Sequence, residues 1–262
     1  MRKITESDIR KELKRLQKQE DAIRKAAMAE RAPSWKEKLE EKVPGKVTEN
    51  LKKAFVKAFE VIFEQGTGVI EKSYKKDEIL LDHEIREYAV QKRGGRRELR
   101  RQQKSAGVKD AANMLLTTVE GAGLGLLGIG LPDIVIFIGM ILKGIYETAL
   151  NYGYDYEDPK ERLLILKMME LSLLKGPEWE EKNAEVNRKL FAGPEEGDLK
   201  EQIRHTAEAF AMDMMVLKFV QGLPVIGVAG GLANPVYYRK ILRFVRMKYQ
   251  KRYLMHQLRC VK

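Results

Sequence analysis

Two apolar, glycine-rich segments constrain the fold of this chain more than any other feature. The first extends from Gly121 to Leu142 with Asp133 as its single charge, and the second extends over residues 222–234 without a charge. Each contains the sequence Gly-Leu-Pro. Glycine and proline destabilise the interior of a helix. Each segment is therefore predicted to form two short helical elements that meet at a corner.

The corners decide how these segments fold. Pro132 and Asp133 are expected in the first turn of a helix, where proline sacrifices no hydrogen bond and a carboxylate faces unpaired N–H groups. The alternative role for Asp133 is that of a buried functional acid. Because small residues let helices approach closely, we expect two helical hairpins packed together, either as a soluble core or inserted in a bilayer. The corner candidates are Gly130, Pro132, Asp133, Gly222, Pro224, Gly230, Gly231 and Asn234.

Helical signals extend through the rest of the chain. Apolar residues recur at helical spacing between Ile9 and Leu16 and between Leu51 and Ile62. Asp158-Pro159 and Asn234-Pro235 each place a capping acceptor before a proline suited to the first helical turn. The first of these pairs predicts a helix from Pro159 to Lys175. Strand-like alternation is absent from the sequence, so the predicted fold is an all-α, multi-helix domain.

The distribution of charge along the sequence indicates a division into two parts. Residues 1–33 are predicted to form a charged helical extension, followed by a helical domain over residues 34–262. Between Lys92 and Lys104, seven basic residues accompany one acidic residue, and Gly94-Gly95 lies inside the run. Residues 92–104 are therefore predicted to be a basic joint between the N-terminal helices and the apolar core. A charged surface loop is the alternative interpretation.

Positive charge is concentrated towards the C-terminus. The formal net charge is +11, and the 49 residues after Asp213, the last acidic residue, contain ten Lys or Arg side chains. A basic cluster beside an uncharged segment indicates a polyanionic partner. The apolar neighbour favours an anionic membrane surface. A nucleic-acid partner is disfavoured, because no recognised nucleic-acid-binding pattern accompanies the charge.

The final predicted helix is basic and amphipathic. Ile241, Val245 and Tyr249 share one face, and arginines lie on the other. Such a helix suits anionic headgroups. The alternative is a helix that packs its apolar face on the core and leaves its basic face in solvent. The membrane-contact candidates are Arg239, Lys240, Arg243, Arg246, Lys251 and Arg252.

Two features predict a cytoplasmic location. The N-terminal sequence is charged throughout and lacks the apolar run of a signal peptide. Cys260 is the only cysteine, which excludes an intrachain disulfide. We expect a cytoplasmic protein that is bound peripherally to the membrane or partly inserted in it.

Patterns for catalysis and cofactors are weak. The three histidines have no zinc-ligand spacing. The G-x-G-x-x-G match at residues 123–128 has no preceding strand pattern, and a Gly-Leu-Pro corner directly follows it. We therefore expect no metal and no cofactor. If the chain is an enzyme, the residues to test are Glu120, Asp133 and His205, as a hydrolase acting on a lipid or peptide substrate.

Several short sequences, taken in order, resemble the bacterial EcsC family. They lie between Trp35 and Leu254 and include Gly66-Thr67-Gly68, Gly130-Leu131-Pro132-Asp133, Tyr152-Gly153-Tyr154-Asp155, Gln221-Gly222-Leu223-Pro224 and Gly230-Gly231-Leu232-Ala233-Asn234. The family is named for a protein encoded beside an ABC transporter, and its biochemical activity is not established. The resemblance implies a membrane-linked role, with an ABC transporter or another membrane protein as partner, and it transfers no catalytic residue. The leading hypothesis is therefore a non-enzymatic protein acting at the cytoplasmic membrane face.

Overall fold

A computed structural model of the chain describes residues 4–29, 45–65, 70, 75–93, 99, 131–220 and 235–261. Within these ranges the chain forms eight α-helices and no strand, which confirms the all-α prediction. In chain order the helices are α1 (Glu6–Ala29), α2 (Gly45–Gln65), α3 (Lys76–Arg93), α4 (Leu131–Asn151), α5 (Pro159–Leu171), α6 (Gly176–Ala192), α7 (Leu199–Val220) and α8 (Pro235–Val261).

Aromatic side chains join α2, α4 and α7 in one part of the core. The apolar face predicted for α2 is buried, and its Phe55 and Phe59 rings lie 5.6 and 5.8 Å from the ring of Phe210 in α7. Phe137 of α4 approaches the same ring at 6.3 Å. These separations are typical of favourable aromatic pairs. The periodic apolar residues of the sequence are therefore core residues.

Helix α4 is the most apolar helix of the described part of the chain. Its Ile134–Asn151 window is long and apolar enough to cross a membrane, but 83% of the window is buried inside the bundle. The central helix of a soluble core has the same length and composition. Within the described residues, α4 is therefore a core helix that packs against α2, α3 and α8.

Gly153 ends α4 in a left-handed conformation, with φ of +77°. The N–H of Gly153 donates to the Leu150 carbonyl at 2.9 Å, and the N–H of Tyr154 donates to the Ala149 carbonyl at 3.0 Å. This pair of bonds is the Schellman motif that closes many helices. A side chain at Gly153 would also meet the His83 ring of α3 at 2.5 Å, so the turn allows α3 to lie against the end of α4.

Helix α5 begins as predicted. Asp158 accepts a hydrogen bond from the N–H of Lys160 at 2.9 Å, and Pro159 occupies the first turn. The predicted end at Lys175 was wrong, because α5 stops at Leu171. The Ser172 hydroxyl donates to the Met169 carbonyl at 2.7 Å and holds a tight turn there.

Helices α4 and α8 run parallel. The Phe137 and Tyr237 rings lie 5.8 Å apart near the start of both helices, and the Tyr152 and Tyr253 rings lie 5.8 Å apart at the opposite end. Between these contacts, a Cβ atom at Gly144 would lie 2.8 Å from Leu242. The absence of a side chain at Gly144 therefore allows the two helices to approach closely.

Helix α1 packs on α8 and α6. Its Ile9 and Leu16 side chains are buried, as the helical spacing predicts. The boundary predicted between residues 33 and 34 lies outside the described residues, so that division stays a prediction. The predicted basic joint, residues 92–104, also lies outside them except for Lys92, Arg93 and Leu99.

Two of the eight predicted corner candidates lie at the start of α4. Pro132 and Asp133 lie in the first turn of α4, as expected, and Pro235 opens α8. The other corner candidates, namely Gly130, Gly222, Pro224, Gly230, Gly231 and Asn234, lie outside the described residues. The two-hairpin arrangement therefore stays a prediction, although the described halves, α4 and α8, are in contact.

Candidate functional site

Helix α8 exposes basic residues mainly at its start. Arg239, Lys240 and Arg243 are exposed, and 41% of the Lys240 side chain is accessible. Lys240 also lies 3.6 Å from the Asp213 carboxylate of α7. On the other side of the helix, Ile241 is fully buried. The apolar face of α8 therefore packs on the core, while this first part of its basic face is in solvent.

The basic residues in the middle of α8 point inward. Lys248 is fully buried, and the side chains of Lys251 and Arg252 are only 15% and 12% exposed. Arg246 is half-buried. Among the six membrane-contact candidates, Lys251 and Arg252 thus form intramolecular ion pairs that leave little charge on the surface.

Glu20 of α1 is the centre of the first of these ion pairs. Its carboxylate accepts hydrogen bonds from Lys248 Nζ at 2.6 Å and from Lys251 Nζ at 2.5 Å. Asn187 of α6 donates to it at 2.9 Å, and Asn183 accepts from Lys248. Three helices therefore meet at one buried carboxylate.

The surroundings of this cluster shift two pKa values. Burial alone would raise the pKa of Glu20, but the charges and hydrogen bonds of Lys248 and Lys251 lower it to about 2. Burial lowers the pKa of Lys248 to about 8, although Glu20 opposes the shift. Both groups are charged at neutral pH, so the cluster is a buried ion pair with a satisfied hydrogen-bond shell.

A second buried carboxylate, Glu161 of α5, holds the other side of α8. Tyr249 donates its hydroxyl to Glu161 at 2.7 Å, and Arg252 Nη1 donates to both carboxylate oxygens at 2.9 and 2.7 Å. The Arg252 guanidinium also lies 3.8 Å above the Tyr154 ring. Burial and the neighbouring carboxylate raise the pKa of Tyr249 well above its usual value.

A buried tyrosine lies where α3 meets the end of α4. Within the described residues, the Tyr152 hydroxyl has no hydrogen-bond partner. Burial raises the pKa of Tyr152, and the charges of Arg246, Arg15 and Arg86 oppose the shift. Arg86 donates to the Asn151 side chain at 2.6 Å. These contacts bring cationic side chains of α1, α3 and α8 together around one turn.

The starts of α4 and α8 lie at one end of the bundle. Because α4 and α8 are parallel, their starting residues Leu131 and Pro235 lie at the same end. In the sequence, Leu131 directly follows the glycine-rich first half of the first segment, residues 121–130, and Pro235 directly follows the second segment. The Asp213–Lys240 contact places the last part of α7 there too. Thr48 of α2 lies 3.4 Å from Met215, so α2 also begins at this end.

We call this region the basic end. It comprises the starts of α2, α4 and α8 and the last turns of α7, with Arg239, Lys240 and Arg243 exposed on its side. Sequence spacing predicted the cationic residues. It could not show that α4 and α8 begin at the same end of the bundle, because that depends on the relative directions of the two helices.

The residues proposed for an enzyme are not assembled in the described part of the chain. Glu120 lies outside the described residues, as does the side chain of Asp133. His205 is exposed on α7, where it lies 3.9 Å from Glu201. No group of three or more His, Cys, Asp or Glu side chains in the described ranges could hold a metal ion. The observed geometry therefore provides no catalytic arrangement on which to base a reaction.

The exposed C-terminal turns contain one contact that sequence analysis missed. The Cys260 thiol lies 3.9 Å from Nδ1 of His256, four residues earlier on the same helix. Cys260 therefore has a neighbouring base, although both side chains are exposed.

Sequence analysis also missed the buried glutamates of α1. In α1, Glu12 and Glu20 occupy the same helical face as Ile9 and Leu16. A charge that recurs in phase with buried apolar residues signals an internal ion pair, since a buried charge needs a partner. This periodicity is visible in the sequence of α1, but it does not identify the residues with which the buried glutamates pair.

The fold and the site define an all-α helical bundle with exposed basic residues at one end. The chain belongs to the EcsC protein family, which it matches over residues 7–254. This range includes nearly all of α1 and therefore begins before Trp35.

One curated relative is similar over a short stretch. The chain is 39% identical over 57 residues to "Uncharacterized protein YdbA" of Bacillus subtilis (strain 168). The similar region covers 21% of this chain and 21% of that relative. No solved structure matches the chain.

Proposed function

We propose that this EcsC-family protein is non-enzymatic and associates with the anionic cytoplasmic face of a membrane through its basic end. The observation that carries the proposal is the parallel arrangement of α4 and α8. It places the starts of α4 and α8, which directly follow the glycine-rich residues 121–130 and 222–234 in the sequence, at the end where Arg239, Lys240 and Arg243 are exposed. Apolar surface and adjacent cations are the two contributions that hold a peripheral protein on lipid.

The exposed charges of the basic end would supply the electrostatic part of the binding energy. A Lys or Arg close to an anionic surface contributes about 1 kcal/mol. Three such residues together contribute at most about 3 kcal/mol, a roughly 100-fold change in partitioning, because Lys240 also lies close to the Asp213 carboxylate. This electrostatic attraction would bring the apolar segments to the interface.

A membrane location also suggests the class of protein partner. At the cytoplasmic face, an ABC transporter or another membrane protein would lie beside the docked bundle. The helices α5 and α6, which contact α8 further from its start, would remain accessible to such a partner.

Vesicle co-sedimentation tests the proposal. We expect the purified chain to bind vesicles rich in phosphatidylglycerol much more strongly than phosphatidylcholine vesicles. Added salt should weaken the binding, because exposed charges are screened over about 10 Å at 0.1 M. The variant Arg239→Gln/Lys240→Gln/Arg243→Gln should lower partitioning by up to roughly 100-fold and preserve helix content, since Gln is a comparable helix former.

A matched control separates local charge from net charge. Lys11, Lys14 and Lys18 are exposed on α1, and changing all three to Gln removes the same total charge. This control should bind almost as well as the wild type. Equal loss in both variants, or no binding of the wild type to anionic vesicles at low salt, would refute docking by the basic end. Salt-resistant binding to neutral vesicles would instead indicate insertion of the glycine-rich segments.

A further inference from the structure

Helix α3 exposes a row of large apolar side chains. Leu81, Ile85 and Tyr88 are 57%, 58% and 64% exposed, and they account for three of the five large exposed apolar residues in the described ranges. Their spacing of four and three residues places them on one face of the helix. Scattered exposed apolar residues are normal on protein surfaces, but a continuous row indicates an interaction site.

The opposite face of α3 is already occupied. Val90 is buried, and the His83 ring nitrogen lies 3.0 Å from the Asn151 carbonyl oxygen. Glu87 accepts hydrogen bonds from the Tyr253 hydroxyl at 2.6 Å and from Gln257 at 2.8 Å. These contacts fix the rotation of α3 about its axis. The apolar row therefore faces outward because of specific contacts on the inner face.

The row continues into a longer seam with a charge at each end. Glu78 precedes Leu81 by three residues, and Lys92 follows Tyr88 by four; both are exposed. The seam Glu78, Leu81, Ile85, Tyr88 and Lys92 thus alternates steps of three and four residues. This alternation is the pattern by which two helices pack as a coiled coil.

We propose that this seam binds a second copy of the same chain, with the two α3 helices antiparallel about a two-fold axis near Ile85. In this arrangement Ile85 meets its own copy, and Leu81 meets Tyr88 of the second copy. Glu78 then meets Lys92 of the second copy, and the symmetry forms this ion pair twice. An interface about a two-fold axis is self-complementary in this way.

The distribution of charge favours a second copy of the chain over a membrane, and the antiparallel orientation over the parallel one. An anionic membrane would meet Asp77, Asp82 and Glu84, which are exposed beside the seam. A parallel pair of α3 helices would place Glu78 against Glu78 and Lys92 against Lys92. The antiparallel pair instead joins the acidic start of each helix to the basic end of the other.

The charges that must rearrange are weakly held. Glu78 contacts Lys75 at 2.6 Å, but both side chains are at least 67% exposed. Lys92 lies 5.7 Å from the Tyr88 ring centre, also on the surface. Exposed pairs of this kind contribute little to stability. Exchanging them for contacts across the interface therefore costs little free energy.

The seam is short, and one like-charge contact opposes pairing. Five positions per helix bury less area than a standard stable interface, so the dimer is weak and its population depends on concentration. Glu84 lies one position from Ile85 and faces its own copy across the axis. The two carboxylates repel each other, which makes Glu84 a site where charge removal should strengthen the dimer.

Sedimentation equilibrium of the full-length chain over a range of concentrations tests the proposal. We expect a reversible monomer–dimer equilibrium. Ile85→Asp should weaken it at least tenfold, and Glu84→Gln should strengthen it several-fold. Phe191→Asp is the matched control, because Phe191 of α6 is 60% exposed but lies outside the seam. It should leave the dimerisation constant unchanged.

A charge exchange distinguishes the antiparallel register from other contacts. Glu78→Lys and Lys92→Glu should each weaken dimerisation several-fold, because each places like charges in contact across the axis. The double variant should restore wild-type affinity, since it rebuilds the same pair in the opposite orientation. Circular dichroism reports whether each variant is folded.

Three outcomes would overturn the proposal. The first is a wild-type chain that stays monomeric throughout the concentration series. The second is a double variant that dimerises no better than the single variants. The third is equal disruption by Phe191→Asp and Ile85→Asp.

Discussion

At the residue scale, the Glu20 cluster shows how one side chain can connect three helices. Glu20 accepts hydrogen bonds from two lysines of α8 and from Asn187 of α6. Moving a charge out of water is costly, and removing one partner of a buried pair leaves the other uncompensated. The position of α1 on the bundle therefore depends strongly on a single carboxylate.

The first prediction concerns the stability of the fold at acidic pH. The pKa of Glu20 is lowered from 4.5 to about 2 in the folded chain. Its contribution is therefore fully present above pH 4.5 and is lost as the pH falls towards 2. A shift of this size corresponds to about 3 kcal/mol. We expect Glu20→Gln to lose about this much unfolding free energy at pH 7, and less at pH 3.

Urea unfolding followed by circular dichroism from pH 3 to pH 7 measures this difference. Glu6→Gln is the control, because Glu6 pairs with Arg10 on the surface, where both side chains are at least 45% exposed. It should change stability little at any pH. A Glu20→Gln curve parallel to the wild-type curve would show that Glu20 has a normal pKa.

At the element scale, α4 and α8 pack closely in parallel, and both helices therefore start at the basic end. A Cβ atom at Gly144 would lie 2.8 and 3.0 Å from the two methyl groups of Leu242 and 2.9 Å from the Tyr238 hydroxyl. Side chains on both sides of this contact are buried or half-buried. The side chains of Leu242 and Tyr238 would therefore have to shift to admit a Cβ atom at position 144.

The second prediction follows from this contact. Gly144→Ala should lower the free energy of unfolding by about 1 to 3 kcal/mol, because overpacking exceeds the gain in helix propensity. Gly45→Ala is the control, since a Cβ atom at Gly45 meets nothing within 4 Å. Combining Gly144→Ala with Leu242→Ala should show coupling in a double-mutant cycle. Full additivity would contradict a direct contact.

The sequence predicts single elements better than contacts between them. Helical periodicity located α1 and α2, and Asp158-Pro159 located the start of α5, because both signals are local. Periodicity also predicted the apolar face of α8. It did not reveal that Lys251 and Arg252 bind Glu20 and Glu161, because those pairs join residues far apart in the sequence. A helical wheel gives the phase of a charge but not its neighbour.

At the scale of the whole molecule, the two ends of the bundle differ. The aromatic contact between Phe137 and Tyr237 marks the basic end, and the contact between Tyr152 and Tyr253 lies near the opposite end. Helix α8 has 27 residues. At about 1.5 Å per residue it extends for roughly 40 Å. Docking through the basic end would therefore keep the last turns of α8 away from the lipid.

The third prediction uses this difference between the ends to measure the orientation of the docked bundle. Cys260 is exposed near the end of α8 and is the only cysteine in the chain, so a fluorophore sensitive to polarity can be attached there. Its emission should not change when anionic vesicles are added. A fluorophore on Glu49→Cys, in a Cys260→Ser background, should shift to shorter wavelength, because Glu49 is exposed at the start of α2 in the basic end. A wavelength shift at position 260 alone would indicate the opposite orientation of the docked bundle. Equal shifts at both positions would indicate a bundle lying flat on the membrane, with the basic end as only one part of the contact.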